Sequence, residues 1–176
     1  KPIPSLQSID HEEKVIYLGT FSKSIAPSLR ISYMVLPLHL LKKYQESCSF
    51  YSTTVSKIQQ EVLREFIRGG YFGRHLNKMR GIYKNKHDFL VGELKKKNWV
   101  ENIAGDNAGL HVLVQVNTTL TEEEICKKAT ECGIRLMGIR EHYIHTPPEG
   151  RPVLLLGYGK PDEQEIQKGL EVLESI

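Results

Sequence analysis

The feature that most constrains the fold is a long helical pattern from about Gly73 to Lys97. Its apolar residues recur mostly at helical spacing, which places them broadly on one side of a helix. The residues on that side are His75, Met79, Ile82, Tyr83, Phe89, Leu90 and Leu94. A helix of this length exceeds what one small domain needs. We therefore predict that it bridges two lobes, residues 1–70 and residues 71–176.

Shorter elements flank this helix on both sides. Runs of β-branched and aromatic residues predict strands, and amphipathic spacing with capping residues predicts helices. The strands are predicted over 15–20, 31–36, 99–103, 110–116, 134–139 and 153–158, and the helices over 38–48, 56–67, about 121–132 and from about 161 onwards. The mixture indicates an α/β protein whose second lobe is a small α+β unit.

Composition excludes several classes of protein. No run approaches the roughly 18 to 20 uninterrupted apolar residues that span a bilayer, so we expect no membrane association. The charged residues make up 26% of the chain in mixed sign, which argues against disorder. A net charge of +3 is weak evidence for a nucleic-acid surface in this chain. Three cysteines without metal-ligand spacing favour a reducing, cytoplasmic setting.

A lysine in a hydroxyl-rich loop is the strongest chemical signal. The predicted loop over 21–29 holds Lys23, and Arg30 follows seven positions after that lysine. A neutral lysine amine condenses with an aldehyde, whereas the planar guanidinium of arginine suits a phosphate. Thr20 and Ser22 add hydroxyl donors. These groups together describe a pyridoxal 5′-phosphate site; residue chemistry alone also allows a pair of solvated charges.

This segment resembles a known family. The string GTFSKSIAPSLRISYMVLP is similar to the lysine segment of fold-type I pyridoxal-phosphate enzymes, in the form found in the MocR/GabR subfamily. Members of that subfamily join a GntR-type winged-helix DNA-binding domain to a class I aminotransferase-like domain. Further strings resemble the subfamily's interdomain helix, a small-domain strand and the closing strand: FIRGGYFGRHLNKMRGIYKNKHDFL, AGLHVLVQV and LLLGYG, respectively.

The resemblance implies a fold-type I, aminotransferase-like transferase fold. Residues 1–70 would form the end of the large, cofactor-binding domain. Residues 71–176 would supply the interdomain helix and the small C-terminal domain. Because the chain begins at Lys1 without an initiator methionine, we expect it to be part of a longer polypeptide.

Site residues follow from the resemblance position by position. Lys23 matches the lysine that carries pyridoxal phosphate as an aldimine and, in active transaminases, shuttles a proton. Arg30 matches the phosphate-binding arginine, and Thr20 and Ser22 match phosphate-facing hydroxyls. The segment 51–54 matches one that approaches the neighbouring subunit's cofactor, which implies a homodimer.

The substrate-binding arginine is less clearly marked. Many class I aminotransferases hold the substrate carboxylate with an arginine on the closing strand, near Leu155 here, where this chain has three leucines. The segment around Arg140 matches the subfamily better, so Arg140 is the candidate for the carboxylate contact, against the alternative of a surface arginine at a strand end. Arg135 and Arg151 remain weaker alternatives.

No metal site is expected. His142 and His145 lie near each other, but no Cys, Asp or Glu accompanies them at metal-ligand spacing.

Three functions are compatible with these observations. The leading one is the amino-acid-sensing domain of a GntR/MocR-type transcriptional regulator, which would contact DNA only through an N-terminal winged-helix domain absent from this chain. The second is a free-standing class I aminotransferase that transfers an amino group from an amino acid to a 2-oxo acid. The third, a dimerisation module that has lost its cofactor, is disfavoured because Lys23 and Arg30 are both retained.

Overall fold

The computed structural model describes residues 4–105, 109–146 and 149–176. The α-helices are α1 (Phe21–Ser24), α2 (Leu38–Cys48), α3 (Lys57–Arg68), α4 (Tyr71–Leu94), α5 (Glu122–Glu131) and α6 (Glu163–Ser175). The strands are β1 (Tyr17–Thr20), β2 (Ser32–Val35), β3 (Val100–Ala104), β4 (His111–Val116), β5 (Met137–Gly138) and β6 (Val153–Gly157). Short 3-10 turns occupy Leu6–Ile9, Pro27–Leu29 and Arg140–His142. The chain divides within α4 into two compact units, unit 1 (residues 1–78) and unit 2 (residues 79–176).

Unit 1 is built around a two-stranded antiparallel ribbon. Strands β1 and β2 pair from Tyr17 opposite Val35 to Thr20 opposite Ser32. Among its described residues Ile31 is the only buried apolar one. Most of its other large apolar side chains are exposed to solvent, including those of Leu18 and Ile58.

A glycine turn separates α3 from α4. Helix α3 ends at Arg68, and Gly70 has a φ of +70°, in the left-handed region that glycine adopts without steric cost. The Gly70 N–H donates to the Ile67 carbonyl at 3.0 Å, which satisfies one carbonyl of the last helical turn.

Unit 2 contains a four-stranded antiparallel sheet in the order β3-β4-β6-β5. Val112 pairs with Leu156 and Val114 with Leu154, and all four side chains are buried on the same face of the sheet. The predicted period-two alternation of β4 is therefore confirmed. Leu155, on the opposite face, pairs with Leu113 and Met137, so its cross-strand neighbours are apolar.

Helices cover this buried sheet face. The core joins the sheet to the second half of α4, to α5 and to α6. Its buried side chains are Leu90, Val91, Leu94, Val112, Val114, Val116, Ile125, Leu154, Leu156, Tyr158, Ile166 and Leu170. Burial of this many apolar side chains supplies the hydrophobic stabilisation of a small domain.

Two predicted elements differ from the structure. Residues 21–24 form α1 instead of open loop, because Thr20 caps them and the Ile25 N–H donates to the Phe21 carbonyl at 2.8 Å. The strand predicted over 134–139 is reduced to β5. The Ile134 N–H donates to the Ala129 carbonyl at the end of α5, at 2.8 Å, and so is not available to a neighbouring strand.

No helix within the described ranges is long and apolar enough to cross a membrane. Across the same part of the chain, no group of three or more His, Cys, Asp or Glu side chains could hold a metal ion.

Candidate functional site

The lysine predicted to carry the chemistry lies on a short, locally braced helix. Thr20, the last residue of β1, caps α1, and its hydroxyl oxygen accepts from the Ser22 N–H at 3.2 Å. The Phe21 N–H donates to the Ile31 carbonyl at 2.9 Å, and the Ser24 hydroxyl donates to the Thr20 carbonyl at 3.3 Å. These bonds tie both ends of α1 to the β1–β2 ribbon and so fix the backbone at Lys23.

Lys23 and Arg30 are both exposed, and neither side chain has a hydrogen-bond or ion-pair partner among the residues that the structure describes. Arg30 has φ 50° and ψ 31°, a left-handed conformation that costs a residue other than glycine about 1 kcal/mol or more. Strain of this kind often marks functional positions. Two cations of unlike geometry on one braced segment form a donor set that fits an aldehyde bearing a phosphate.

The two predicted phosphate-facing hydroxyls differ in availability. The Thr20 hydroxyl both accepts from Ser22 and donates to the Ile31 carbonyl at 3.3 Å, so it holds the local fold. The Ser22 hydroxyl makes no hydrogen bond within the described residues and is half-buried. Ser22 is therefore better placed than Thr20 to donate to a ligand oxygen.

Aromatic rings support α1 from one side. The Phe21 ring lies 5.0 Å from the Tyr33 ring and 5.9 Å from the Phe72 ring, between ring centres. A hydrogen bond with Tyr17, together with burial, raises the pKa of Tyr33 above its ordinary value, so its hydroxyl stays protonated at neutral pH. A Cβ on Gly19 would lie 2.3 Å from the Tyr33 ring, so only glycine allows this ring to pack across β1.

Arg140, the predicted carboxylate-binding residue, lies in unit 2 in the 3-10 turn that follows β5. Its backbone N–H donates to Glu122 Oε2 at 2.9 Å, and its Nε lies 3.9 Å from Glu122 Oε1. The Arg140 side chain is 45% exposed, whereas that of Glu122 is 7% exposed. Sequence reasoning missed Glu122, which it treated only as part of a helix start. A Glu directly after a cap (Thr121), the first of three in a row, is an ordinary first-turn acid, and no sequence signal marks it as buried.

Arg140 lines a cavity of about 720 Å³ together with Arg151, Glu122, Glu141 and Cys126. Burial, and secondarily the nearby Glu141 carboxylate, raises the pKa of the Cys126 thiol, which keeps it protonated and unreactive at neutral pH. Arg151 is engaged elsewhere, because its Nε lies 3.2 Å from Glu101 Oε2 and its guanidinium donates to Asn117.

The remaining predicted positions are more dispersed. Arg135 lines a different cavity in unit 2, between α6 and β6. The segment 51–54, predicted to approach a neighbouring subunit, is exposed throughout. Lys23 and Arg30 belong to unit 1 and Arg140 to unit 2.

Sequence comparison places the chain among transcriptional regulators and aminotransferases. It is 39% identical over 176 residues to the uncharacterized HTH-type transcriptional regulator YdeL of Bacillus subtilis, a match that covers 99% of this chain and 38% of YdeL. It is 29% identical to the probable rhizopine catabolism regulatory protein MocR of Rhizobium meliloti, over 99% of this chain and 35% of MocR. The chain therefore spans little more than a third of the length of these relatives.

Solved structures share the fold. The multiple substrate aminotransferase of Thermococcus profundus superimposes with a TM-score of 0.81 at 23% identity, over 99% of this chain and 43% of that one. LysN, the α-aminoadipate aminotransferase of Thermus thermophilus, solved with N-(5′-phosphopyridoxyl)-L-leucine, gives a TM-score of 0.80 at 23% identity, over 99% of this chain and 45% of LysN. The predicted α/β, fold-type I aminotransferase-like fold is thus confirmed.

The family model "Aminotransferase class I and II" matches residues 2–166, which include the lysine segment, the long helix and most of unit 2. This match agrees with the resemblance seen in the sequence, and its extent leaves only Lys1 and the last ten residues outside the family pattern. The chain belongs to the aminotransferase class I and II family.

Proposed function

We propose that this chain is the pyridoxal-phosphate-binding, amino-acid-sensing part of a GntR/MocR-type transcriptional regulator. The observation that carries the proposal is that relatives matching 99% of the chain, at up to 39% identity, are named transcriptional regulators. The exposed Lys23 and Arg30 on their braced segment supply the chemistry that such a sensor needs.

The cofactor residues are assigned by their chemistry. Lys23 would hold the cofactor through its amine, which can condense with an aldehyde with release of water. Arg30 binds the phosphate through its planar guanidinium, and Ser22 donates its hydroxyl to a phosphate oxygen. Thr20 holds the backbone of α1 and contributes less directly. When bound, the cofactor supplies a reactive carbonyl and an electron sink for amino compounds.

The effector is an amino acid or a close analogue. Arg140 would bind the effector's carboxylate in a bidentate contact. Arg140 suits this role because nearly half of its side chain is exposed, in a cavity large enough for a small ligand.

Regulation then follows from differential binding. An effector that binds one arrangement of the protein better than another shifts the population toward that arrangement. In the full-length protein, which we propose to be a cytoplasmic homodimer, this shift changes the affinity of an N-terminal winged-helix domain for DNA. Turnover of the amino compound is not required.

A free-standing aminotransferase is the second candidate. It is favoured by the solved structures with the same fold, which are aminotransferases. The two candidates differ in an observable product. Incubation of the full-length protein with amino acids and a 2-oxo acid yields a new amino acid over many turnovers only if the protein is a transaminase.

The cofactor assignment is tested by absorption spectroscopy of the full-length protein. Pyridoxal phosphate bound covalently through a lysine gives an absorption band that stays with the protein through gel filtration, and Lys23→Ala should abolish that protein-bound band. Lys42→Ala, which removes an exposed lysine of α2, is the matched control and should leave the band unchanged. A band that survives Lys23→Ala would refute the assignment.

Arg30 is tested separately from its backbone strain. Arg30→Ala and Arg30→Gly should both weaken cofactor binding by roughly tenfold or more, because each removes a charged hydrogen-bond donor to the phosphate. Arg30→Gly should also raise the unfolding free energy relative to Arg30→Ala by about 1 kcal/mol, since glycine adopts the left-handed conformation without strain. Unchanged cofactor affinity in both variants would move the phosphate site elsewhere.

A further inference from the structure

Glu122 is an unusual residue in unit 2 because it is a buried acid. Among the described residues it is the only buried polar or charged one, with 7% of its surface exposed. It lies in the first turn of α5, next to residues that already cap the helix: the Thr121 hydroxyl and the Glu124 carboxylate form a complete capping box. Glu122 is therefore not needed as a cap, and its burial requires another explanation.

Both oxygens of the Glu122 carboxylate bind backbone outside its own helix. Oε1 accepts from the Val153 N–H at 3.0 Å, at the start of β6. Oε2 accepts from the Arg140 N–H at 2.9 Å, two residues after the end of β5. The Glu122 side chain thus connects α5 to Arg140 and Val153, the two ends of the segment 140–153.

The neighbouring backbone is shaped to admit this carboxylate. A Cβ on Gly138 would lie 2.3 Å from Glu122 Oε2, closer than any real contact. Gly138 has no positive φ that would call for glycine. The glycine is therefore explained by the space that the glutamate occupies.

The carboxylate also faces the Arg140 side chain. Glu122 Oε1 lies 3.9 Å from Arg140 Nε, the nitrogen at the base of the guanidinium. Glu122 thus binds the Arg140 backbone and also faces the Arg140 Nε. These two contacts together restrict the directions in which the guanidinium plane can point.

We propose that Glu122 is a positioning residue that aims the Arg140 guanidinium at a ligand carboxylate. The inference rests on the proposed amino-acid-binding function of this cavity and adds a determinant of specificity. Glu122 makes the site select amino compounds that carry a carboxylate over amines that lack one.

The test compares ligands with and without a carboxylate in the full-length protein loaded with pyridoxal phosphate. The probes are the standard amino acids, each titrated against the absorption band of the bound cofactor. Every amino acid that shifts the band is then paired with its decarboxylated amine. Glu122→Gln should weaken binding of the amino acid by about tenfold or more while leaving the affinity for the amine unchanged.

Two variants make the comparison specific. Glu131→Gln makes the same charge change on an exposed side chain at the other end of α5, outside this cavity, and should alter neither affinity. Arg140→Lys, at a position 45% exposed, keeps the positive charge and does not threaten folding. It should lose the preference for the carboxylate, because lysine has no planar group for Glu122 to orient.

The outcomes separate this inference from the proposed function. Equal loss of amino acid and amine affinity in Glu122→Gln would show that the glutamate serves only the fold, and full retention of the preference in both Glu122→Gln and Arg140→Lys would overturn the positioning role. Either result leaves the cofactor assignment intact. A wild-type protein whose band is present but is moved by no amino acid would instead overturn the proposed sensing function, and this inference with it.

Discussion

The two units of this chain bury their apolar residues very differently. In unit 2 the sheet, α5, α6 and the end of α4 enclose a continuous core, in which Leu94 and Val112 are fully buried. In unit 1 Ile31 alone is buried among the described apolar residues, and sixteen large apolar side chains are exposed, against five in unit 2. Yet helices and strands make up a similar share of the residues in the two units.

The difference shows that a region can form helices and strands without burying enough apolar surface to be stable on its own. Local capping and turn signals form the elements of unit 1, but the apolar faces of those elements meet little protein. Exposed apolar surface on this scale is typical of a region that binds another surface. The proposed cofactor lysine thus lies in the unit that depends on further contacts, whereas the proposed carboxylate site lies in the unit that supports itself.

The largest expected effect is on whether each unit folds as an isolated fragment. A fragment of residues 79–176 should fold alone, because it contains the whole core of unit 2. It should show dispersed amide resonances, a cooperative thermal transition and a free energy of unfolding of a few kcal/mol at 25 °C. A fragment of residues 1–78 should show neither, because its elements cannot cover one another's apolar faces. A cooperative transition in a monomeric 1–78 fragment would remove the basis of the comparison.

Substitution of one leucine in each unit tests the same difference in burial at the level of single side chains. Leu94→Ala removes a fully buried side chain of unit 2 and should lower the unfolding free energy of the chain by about 2 to 5 kcal/mol, through lost burial and the remaining cavity. Leu38→Ala removes a side chain of unit 1 that is 70% exposed, and should cost no more than about 0.5 kcal/mol. Chemical denaturation monitored by circular dichroism gives both values; similar losses in the two variants would contradict the difference in burial.

The smallest effect concerns pH and the cap of α5. Hydrogen bonds from the Thr121 N–H at 2.8 Å and from its hydroxyl at 2.9 Å, with the nearby Lys128, hold the pKa of Glu124 below its ordinary value. Glu124 therefore contributes stability above the pKa it has in the unfolded chain, and this contribution is lost as the pH falls through its lowered pKa in the folded protein.

Thermal unfolding of the 79–176 fragment between pH 7 and about pH 3 tests this dependence. Glu124→Gln keeps a side chain that can cap but removes the charge, so its deficit relative to wild type should shrink toward low pH. Glu123→Gln serves as the control with the same change of charge in the same turn. A deficit of Glu124→Gln that stays constant with pH would show that the charge contributes nothing.

Local patterns predicted much of the fold. Helix α2 has the predicted bounds, the Thr121–Glu124 capping box is present, and the alternation of β4 separates its buried face from its more accessible face as expected. Each depends on residues a few positions apart, and neighbours of that kind are visible in a sequence. The capping bonds that turn residues 21–24 into α1 are also local, but they lie within a hydroxyl-rich segment whose composition is typical of a loop.

The candidate site also combines features that the sequence predicted with features that only the structure shows. Lys23, Arg30, Thr20 and Ser22 were identified from one continuous string, and their roles in cofactor binding stay predictions for the proposed experiments. The structure added what the string does not contain: the left-handed backbone of Arg30, the engagement of the Thr20 hydroxyl and the ring packing under Phe21. Each depends on how this string folds back on itself between β1 and β2, which the order of its residues does not state.

The sequence by itself determined the family, the order of most elements and the identity of the reactive lysine candidate, because these are properties of contiguous residues. Only the tertiary structure decided that Glu122 is buried against Gly138 and bonded to the backbone of Arg140 and Val153, residues 16 to 31 positions away. The physical reason is that a carboxylate in the first turn of a helix is ordinarily solvated. Its burial depends on donors that the fold brings from distant strands, and no local signal records them.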